Sequence, residues 1–344
     1  MKQHAEEIIS GIRERKMYPV YFLMGEEPYF IDLITDHIEK HLLPEELKAF
    51  NQQVFYGKDS DIRTILETAL RHPMMSEKQV VIVKEAQELK LSTSGEEEKD
   101  PFLSYVENPN PATVLVFAYK YRKLDKRTRF YKALHESNHC LLFESEKIKD
   151  YKIPDWIMGY FSKKEMSIDT KAAMLLTEHV GNSISNVVNE LDKLILSLPG
   201  GSKQITAEHI EKYTGYSKDF NVFELQNAII AGDVKKANRI VFHFCKNPKD
   251  HPLTVTIAVL YQFFVKILLY HAVRQQPRGK IAAALKVREF FLKDYEKASH
   301  RFSVTRLAAI LSALRKTDAR SKGIGNISSS PCDLLKELLF YILH

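Results

Sequence analysis

The sequence predicts an α/β domain built on a parallel sheet, followed by two all-helical domains. Three observations carry this expectation. Short apolar, β-branched runs alternate with helical patterns over the first 145 residues; the strand signal stops near residue 146; and from about Ser217 the chain reads as helix almost throughout. Continuous apolar strands separated by helices are strands buried on both faces, which is the environment of a parallel sheet. The expected boundaries are 1–145, 146–216 and 217–344, consistent with 344 residues at roughly 150 per domain.

Val20 to Met24 is the first strand, leading through Gly25 into a helix from about Pro28. Phe30, Leu33, Ile34, Ile38 and Leu42 recur there at helical spacing and mark an apolar face. Gln53 to Tyr56 is the second strand. Ser60 then reads as an N-cap, because Ile62, Ile65, Leu66, Ala69 and Leu70 follow with helical periodicity. Pro73 ends that helix by disfavouring helical geometry at His72. Strands follow at Val80 to Val83, Val114 to Phe117 and Leu141 to Phe143, and the polar stretch Ser92 to Pro101 reads as a solvated loop.

Beyond the sheet, residues 155–161, 169–180 and 185–198 read as helices, and Pro199-Gly200-Gly201-Ser202 breaks the chain. The last break, Ser321 to Pro331, precedes a closing helix with Leu334, Leu335, Leu338 and Leu339 on one face. Val255 to Val273 is a long apolar stretch, interrupted by Gln262, Lys266 and His271. A membrane span needs about 20 mostly uninterrupted apolar residues, so a bundle helix is expected and no membrane partner.

With 44% apolar and 27% charged residues, the chain is excluded from the disordered, collagenous and disulfide-scaffold classes. A net charge of +6 permits contact with nucleic acid without demanding it. Cys140, Cys245 and Cys332 are far apart and odd in number, with no CxxC or zinc spacing. They read as three lone thiols suited to a reducing cytoplasm, and no metal is expected. The acidic residues near the N-terminus do not fit a secretory signal.

A strand leading through glycine into a helix is the setting of a phosphate loop, G-x-x-x-x-G-K-[ST]. Counted from Gly25, the places of the second glycine, the lysine and the hydroxyl hold Phe30, Ile31 and Asp32. Glu26 and Glu27 would repel a triphosphate, and Pro28 removes an amide donor. After Val80 to Val83 the chain continues Lys84-Glu85-Ala86, a cation where a magnesium carboxylate is needed. No cofactor and no catalytic residue are expected. Two readings of Gly25 stand at this point: a nucleotide loop that has lost its residues, or an ordinary turn glycine.

Two features could bind a partner. Met74-Met75, between an amphipathic helix and a strand, could project as a flexible apolar wedge or fold back onto the domain's own core. The run from Lys120 to Lys132 carries seven Lys or Arg in thirteen residues, Lys126, Arg127 and Arg129 among them. It could meet phosphates or acidic protein surfaces, or be the solvated face of a helix whose Phe130, Ala133 and Leu134 point inward.

Taken together, these segments resemble the delta subunit of the bacterial DNA polymerase III clamp loader. The resemblance runs through residues 19–32, Val80 to Ala86, Lys123-Leu124-Asp125-Lys126-Arg127, Asn189 to Leu194 and Val222 to Leu225. It continues through Phe302-Ser303-Val304 to Leu314 and Asp318. It implies an AAA+ (RecA-like) parallel-sheet domain, a small helical lid and a C-terminal helical collar that joins a hetero-pentamer. It further implies a cytoplasmic replication protein that does not hydrolyse ATP, binds the sliding clamp (beta) and holds it open for loading onto primer–template DNA. The family's apolar contact pair, usually leucine then phenylalanine, falls on Met74 and Met75. Two other classes stay in view: a nucleic-acid-binding α/β protein using residues 120–132, and a divergent P-loop ATPase.

Overall fold

The structure, a computed structural model, describes residues 5–91, 100–198, 203–326 and 328–344. Most of the expected loop at 92–101 and the break at 199–202 therefore lie outside the described residues. The described chain forms two compact units, one of Met1–Lys149 with Ser183–Ser185, the other of Asp150–Asn182 with Asn186–His344. The expected boundary near residue 145 falls close to the division between them. The segments 146–216 and 217–344, expected as separate helical domains, fall largely together in the second unit.

In the first unit the elements run α1 (Ala5–Arg13), β1 (Val20–Gly25), α2 (Pro28–His41), α3 (Glu45–Asn51), β2 (Gln52–Tyr56) and α4 (Ile62–Leu70). They continue β3 (Gln79–Lys84), α5 (Pro101–Glu107), β4 (Thr113–Lys120), α6 (Arg129–Glu136) and β5 (Cys140–Ser145). The five strands are parallel and lie in the order β2-β3-β4-β1-β5. In register, Val20 of β1 lies between Leu115 of β4 and Cys140 of β5.

Alternate residues of each strand enter opposite cores, as the two-residue period of a strand requires. Val20, Phe22, Met24, Val81, Val83, Leu115 and Phe117 pack with α4, α5 and α6. Tyr21, Leu23, Val80, Ile82, Val114 and Val116 pack with α1 and α2. Burial on both faces explains why β1, β3 and β4 are almost wholly apolar, whereas the edge strand β2 is not.

Two local expectations change. The N-cap of α4 is Asp61, whose carboxylate accepts the Arg63 N–H at 3.0 Å, one residue after the expected Ser60. The buried face of α2 is Ile31, Ile34, Thr35 and Ile38, while Phe30, Leu33 and Leu42 are only partly buried at its margin. Ile31 is thus central to the core.

The second unit holds α7 (Ile153–Lys163), β6 (Ser167–Ile168), α8 (Thr170–Val180), α9 (Ile184–Ser197), β7 (Gln204–Ile205) and α10 (Ala207–Thr214). Helices α11 (Val222–Ala231), α12 (Val234–Lys246), α13 (Leu253–Val273), α14 (Arg278–Leu285), α15 (Leu292–Arg301), α16 (Val304–Ser321) and α17 (Pro331–Leu343) complete it. Strands β6 and β7 pair in parallel over two residues each, too short to leave an apolar pattern in the sequence. Leu225, Ile240, Phe244, Leu260, Phe264, Ile267, Leu307, Ile310, Leu314 and Leu338 form the bundle core.

Helix α13 is long and apolar enough to cross a membrane by length and composition alone. Its Leu260, Phe263, Phe264 and Ile267 are buried in the bundle, while Val255, Tyr261 and Leu269 are exposed. It is a bundle helix with one uncovered face, not one buried all round.

The cysteines also depart from expectation. Cys245 and Cys332 form a disulfide between α12 and α17, with Cα atoms 5.1 Å apart and a sequence separation of 87. Only Cys140 is a free, buried thiol. Sequence spacing does not reveal the pair, because the packing of α12 against α17 brings the two together. A cross-link closing so long a loop stabilises the bundle by about 2–4 kcal/mol through its constraint on the unfolded chain.

Candidate functional site

The amino-terminal edge of the sheet carries the Met74–Met75 segment. Helix α4 stops at Leu70, and Arg71 turns the chain into extended geometry. The last carbonyls of a helix lack intrahelical partners. Here buried side chains serve them: Thr113 Oγ1 donates to the Ala69 carbonyl at 2.7 Å, and Gln79 Nε2 to the Arg71 carbonyl at 2.6 Å. Asn110 Nδ2 also donates to the Arg71 carbonyl, at 2.9 Å. Farther along, Lys78 Nζ donates to the Pro111 carbonyl at 2.6 Å, and Ser76 Oγ to the Lys78 carbonyl at 2.9 Å.

Between these anchors a second clasp holds Met74. Its N–H donates to Asn51 Oδ1 at 2.6 Å, and Asn51 Nδ2 donates back to its carbonyl at 2.8 Å. Asn51, the last residue of α3, is only 3% exposed. The clasp therefore uses a rigid, buried amide. Met74 is 61% and Met75 94% exposed, and Met75 has φ 55°, a left-handed conformation that costs a non-glycine residue about 1 kcal/mol or more. The methionines do not fold back onto the domain core. The fold holds them in water on a fixed backbone.

At the carboxyl edge of the sheet the β1–α2 turn is closed. Gly25 has φ 141°, and a Cβ there would lie 2.0 Å from the Ser145 carbonyl oxygen. The Glu26 N–H donates to that carbonyl at 3.0 Å, and Ser145 Oγ donates to the Glu27 carbonyl at 2.7 Å, so the turn is stitched to the end of β5. The Glu27 carboxylate accepts the Tyr29 N–H at 3.3 Å, placing an anion of the protein's own at the helix start where a phosphate would bind. Burial pushes that carboxyl above its ordinary range.

The three degenerate positions are all engaged. Phe30 is half-buried, Ile31 is fully buried and Asp32 pairs with Lys120 at 2.5 Å. Lys84 pairs with Glu39 at 2.8 Å, so the cation at the end of β3 is occupied by a carboxylate of α2. Among the described residues no group of His, Cys, Asp and Glu is arranged to hold a metal ion.

The basic run is spread over the same edge. Lys123 and Lys126 both reach Glu144, at 3.1 and 2.7 Å. Burial opposes ionisation of Glu144, but the two lysines outweigh it and hold its carboxyl below the usual range. Arg127 pairs with Asp125 at 2.7 Å, and Arg129 opens α6 on an exposed face. Lys126 and Arg127 are thus committed to local carboxylates. The structure does not gather the run into one unpaired basic face. Sequence reasoning missed Asn51, Gln79 and Asn110. Their only trace was a lone amide at a strand or helix boundary, which by itself points nowhere.

A five-stranded parallel sheet with β4 between β1 and β3, joined to a helical C-terminal region, is an AAA+-like architecture. Two family models match: DNA polymerase III, delta subunit, over residues 21–144, and DNA polymerase III delta subunit, C-terminal domain, over residues 219–330. The DNA polymerase III subunit delta of Bacillus subtilis is 26% identical over 326 residues, covering 92% of this chain and 91% of that protein. The solved Bacillus subtilis DNA clamp loader delta protein matches with a TM-score of 0.57 and 26% identity, covering 98% of this chain and 99% of that one. The chain belongs to the DNA polymerase III delta-subunit family, the delta subunits of the clamp loader.

Proposed function

We propose that this chain binds the sliding clamp and opens it for loading onto primed DNA, without hydrolysing ATP itself. The observation that carries the reading is the display of Met74 and Met75, exposed on a backbone that buried Asn51 clasps from both sides. Each methionine supplies about 1.5–3 kcal/mol when fully buried in a partner. The clasp on Met74 means that little backbone freedom is lost there on docking, although both side chains still give up rotamer freedom.

Opening follows from linkage. A chain that binds the open clamp more tightly than the closed one shifts the clamp population toward open by its differential affinity. The filled carboxyl edge supports the second half of the reading, since Glu27 takes the phosphate place and Ile31 the lysine place. ATP binding and hydrolysis then belong to other subunits, as does the polymerase activity. The exposed Val255, Tyr261 and Leu269 on α13, with Phe340 on α17, are the apolar surface offered to neighbouring subunits of a hetero-pentamer. Residues 146–216 then act as the lid and 217–344 as the collar of a cytoplasmic assembly that meets primer–template DNA.

The test is binding of the purified chain to its cognate clamp without nucleotide. Binding that the Met74→Ala/Met75→Ala variant abolishes, with its circular dichroism unchanged, supports the reading. Binding unchanged in that variant moves the contact elsewhere, and binding that appears only with ATP overturns the nucleotide-independent account.

A further inference from the structure

Beside Met75 lies a cleft of about 1150 Å³ whose walls come from the ends of α1 and α2, the start of α3 and the segment from Met75 to Lys78. Arg13, Arg15, Lys40 and Lys78 line it, with the rings of His37 and His41 4.9 Å apart and tilted by 41° along one side. Glu45 and Glu77 are the carboxylates in its lining. Of these, Glu45 is engaged by Lys48 at 2.6 Å, while Lys40 holds Asp36 at 3.3 Å. Cations thus outnumber carboxylates in a hollow that shares a wall with the exposed methionine.

Part of this charge serves the fold. Arg13, Lys40 and His41 lie in the last turns of their helices, where cations complement the helix dipole. Lys78 serves the fold too, through its bond to the Pro111 carbonyl, which leaves Arg15, beyond the end of α1 at φ 61°. Arg13 and Arg15 are both exposed.

We propose that this cleft is a second contact surface for the partner that receives Met74 and Met75, and that it takes an acidic segment of that partner. The inference rests on the clamp-binding reading above. Continuity with Met75 puts both contacts within one footprint, and the excess of cations selects carboxylates over an apolar or basic segment. Charges at the rim of an apolar anchor act chiefly on the association rate, which salt then suppresses.

The experiment measures association of the full chain with its cognate clamp at low and high salt, comparing wild type with Arg13→Glu/Arg15→Glu and with Arg13→Lys/Arg15→Lys. The charge-reversed variant is expected to associate about 10-fold more slowly at about 0.05 M salt, with the gap closing near 0.5 M. The lysine variant keeps the wild-type rate, which separates charge from loss of structure. Met74→Ala/Met75→Ala should instead lose affinity at every salt concentration. Equal rates for wild type and the charge-reversed variant overturn the cleft and leave the methionine contact standing. A charge-reversed variant that loses affinity for a DNA duplex and none for the clamp overturns it too, in favour of nucleic acid. Failure of the wild-type chain to bind the clamp at all overturns both readings.

Discussion

The two edges of the parallel sheet treat side chains in opposite ways. At the carboxyl edge charged residues turn toward one another, in the pairs Lys120–Asp32, Lys123–Glu144, Lys126–Glu144 and Lys84–Glu39, and an isoleucine fills the core behind them. At the amino edge buried polar residues turn toward the backbone, and two methionines turn toward water. One edge pairs most of these charges with one another. The other spends its buried hydrogen bonds on presenting an apolar pair. In this AAA+-like sheet the exposed apolar pair stands at the edge opposite the β1–α2 turn.

Substitutions can break or sharpen that contrast. The largest expected effect is that of Ile31→Lys, which places the phosphate-loop lysine where this fold has core. Burying an ammonium without a partner should destabilise the domain by about 4 kcal/mol or more, read by denaturant unfolding. A tolerated lysine would mean that the carboxyl edge still has room for a nucleotide and would break the contrast.

Next comes Met74→Ala/Met75→Ala, expected to weaken clamp binding by about 3–6 kcal/mol, a loss of 100-fold or more in titration calorimetry, with the melting temperature unchanged. Asn51→Ala should cost about 1–3 kcal/mol of stability, because it leaves the Met74 N–H and carbonyl without their partners. It should also weaken clamp binding several-fold although Asn51 itself is buried. Stability lost with clamp affinity intact would show that the clasp serves the fold alone. The smallest effect belongs to Asp32→Asn. Its pair with Lys120 is partly exposed, so about 1 kcal/mol or less is expected in thermal unfolding, and a larger loss would reveal a cooperative charge network.

Much of the fold was legible in the sequence, for particular physical reasons. The strands β1, β3 and β4 are continuous apolar runs because both of their faces are covered, and Leu334, Leu335, Leu338 and Leu339 mark the inner face of α17. Ser60 was an expected cap because the sequence shows the residue type but not which side chain turns back on the helix; Asp61 does so. The disulfide was hidden because 87 residues separate its ends. At the candidate site, the sequence shows that the phosphate-loop residues are missing after Gly25 and that Met74 and Met75 lie between a helix and a strand. Whether the methionines faced core or water could not be read, because that depends on Asn51, 23 residues earlier in the chain. The basic run was legible as charge, yet its partners Glu144 and Asp32 are brought to it by the sheet.

The central claim is that docking of Met74 and Met75 opens a ring without ATP. Its most direct test is the rate at which the purified chain, without nucleotide, releases clamps already closed around circular DNA. The account predicts release well above the spontaneous rate for the wild-type chain and none above it for Met74→Ala/Met75→Ala. A wild-type chain that binds the clamp and leaves the release rate unchanged would contradict it.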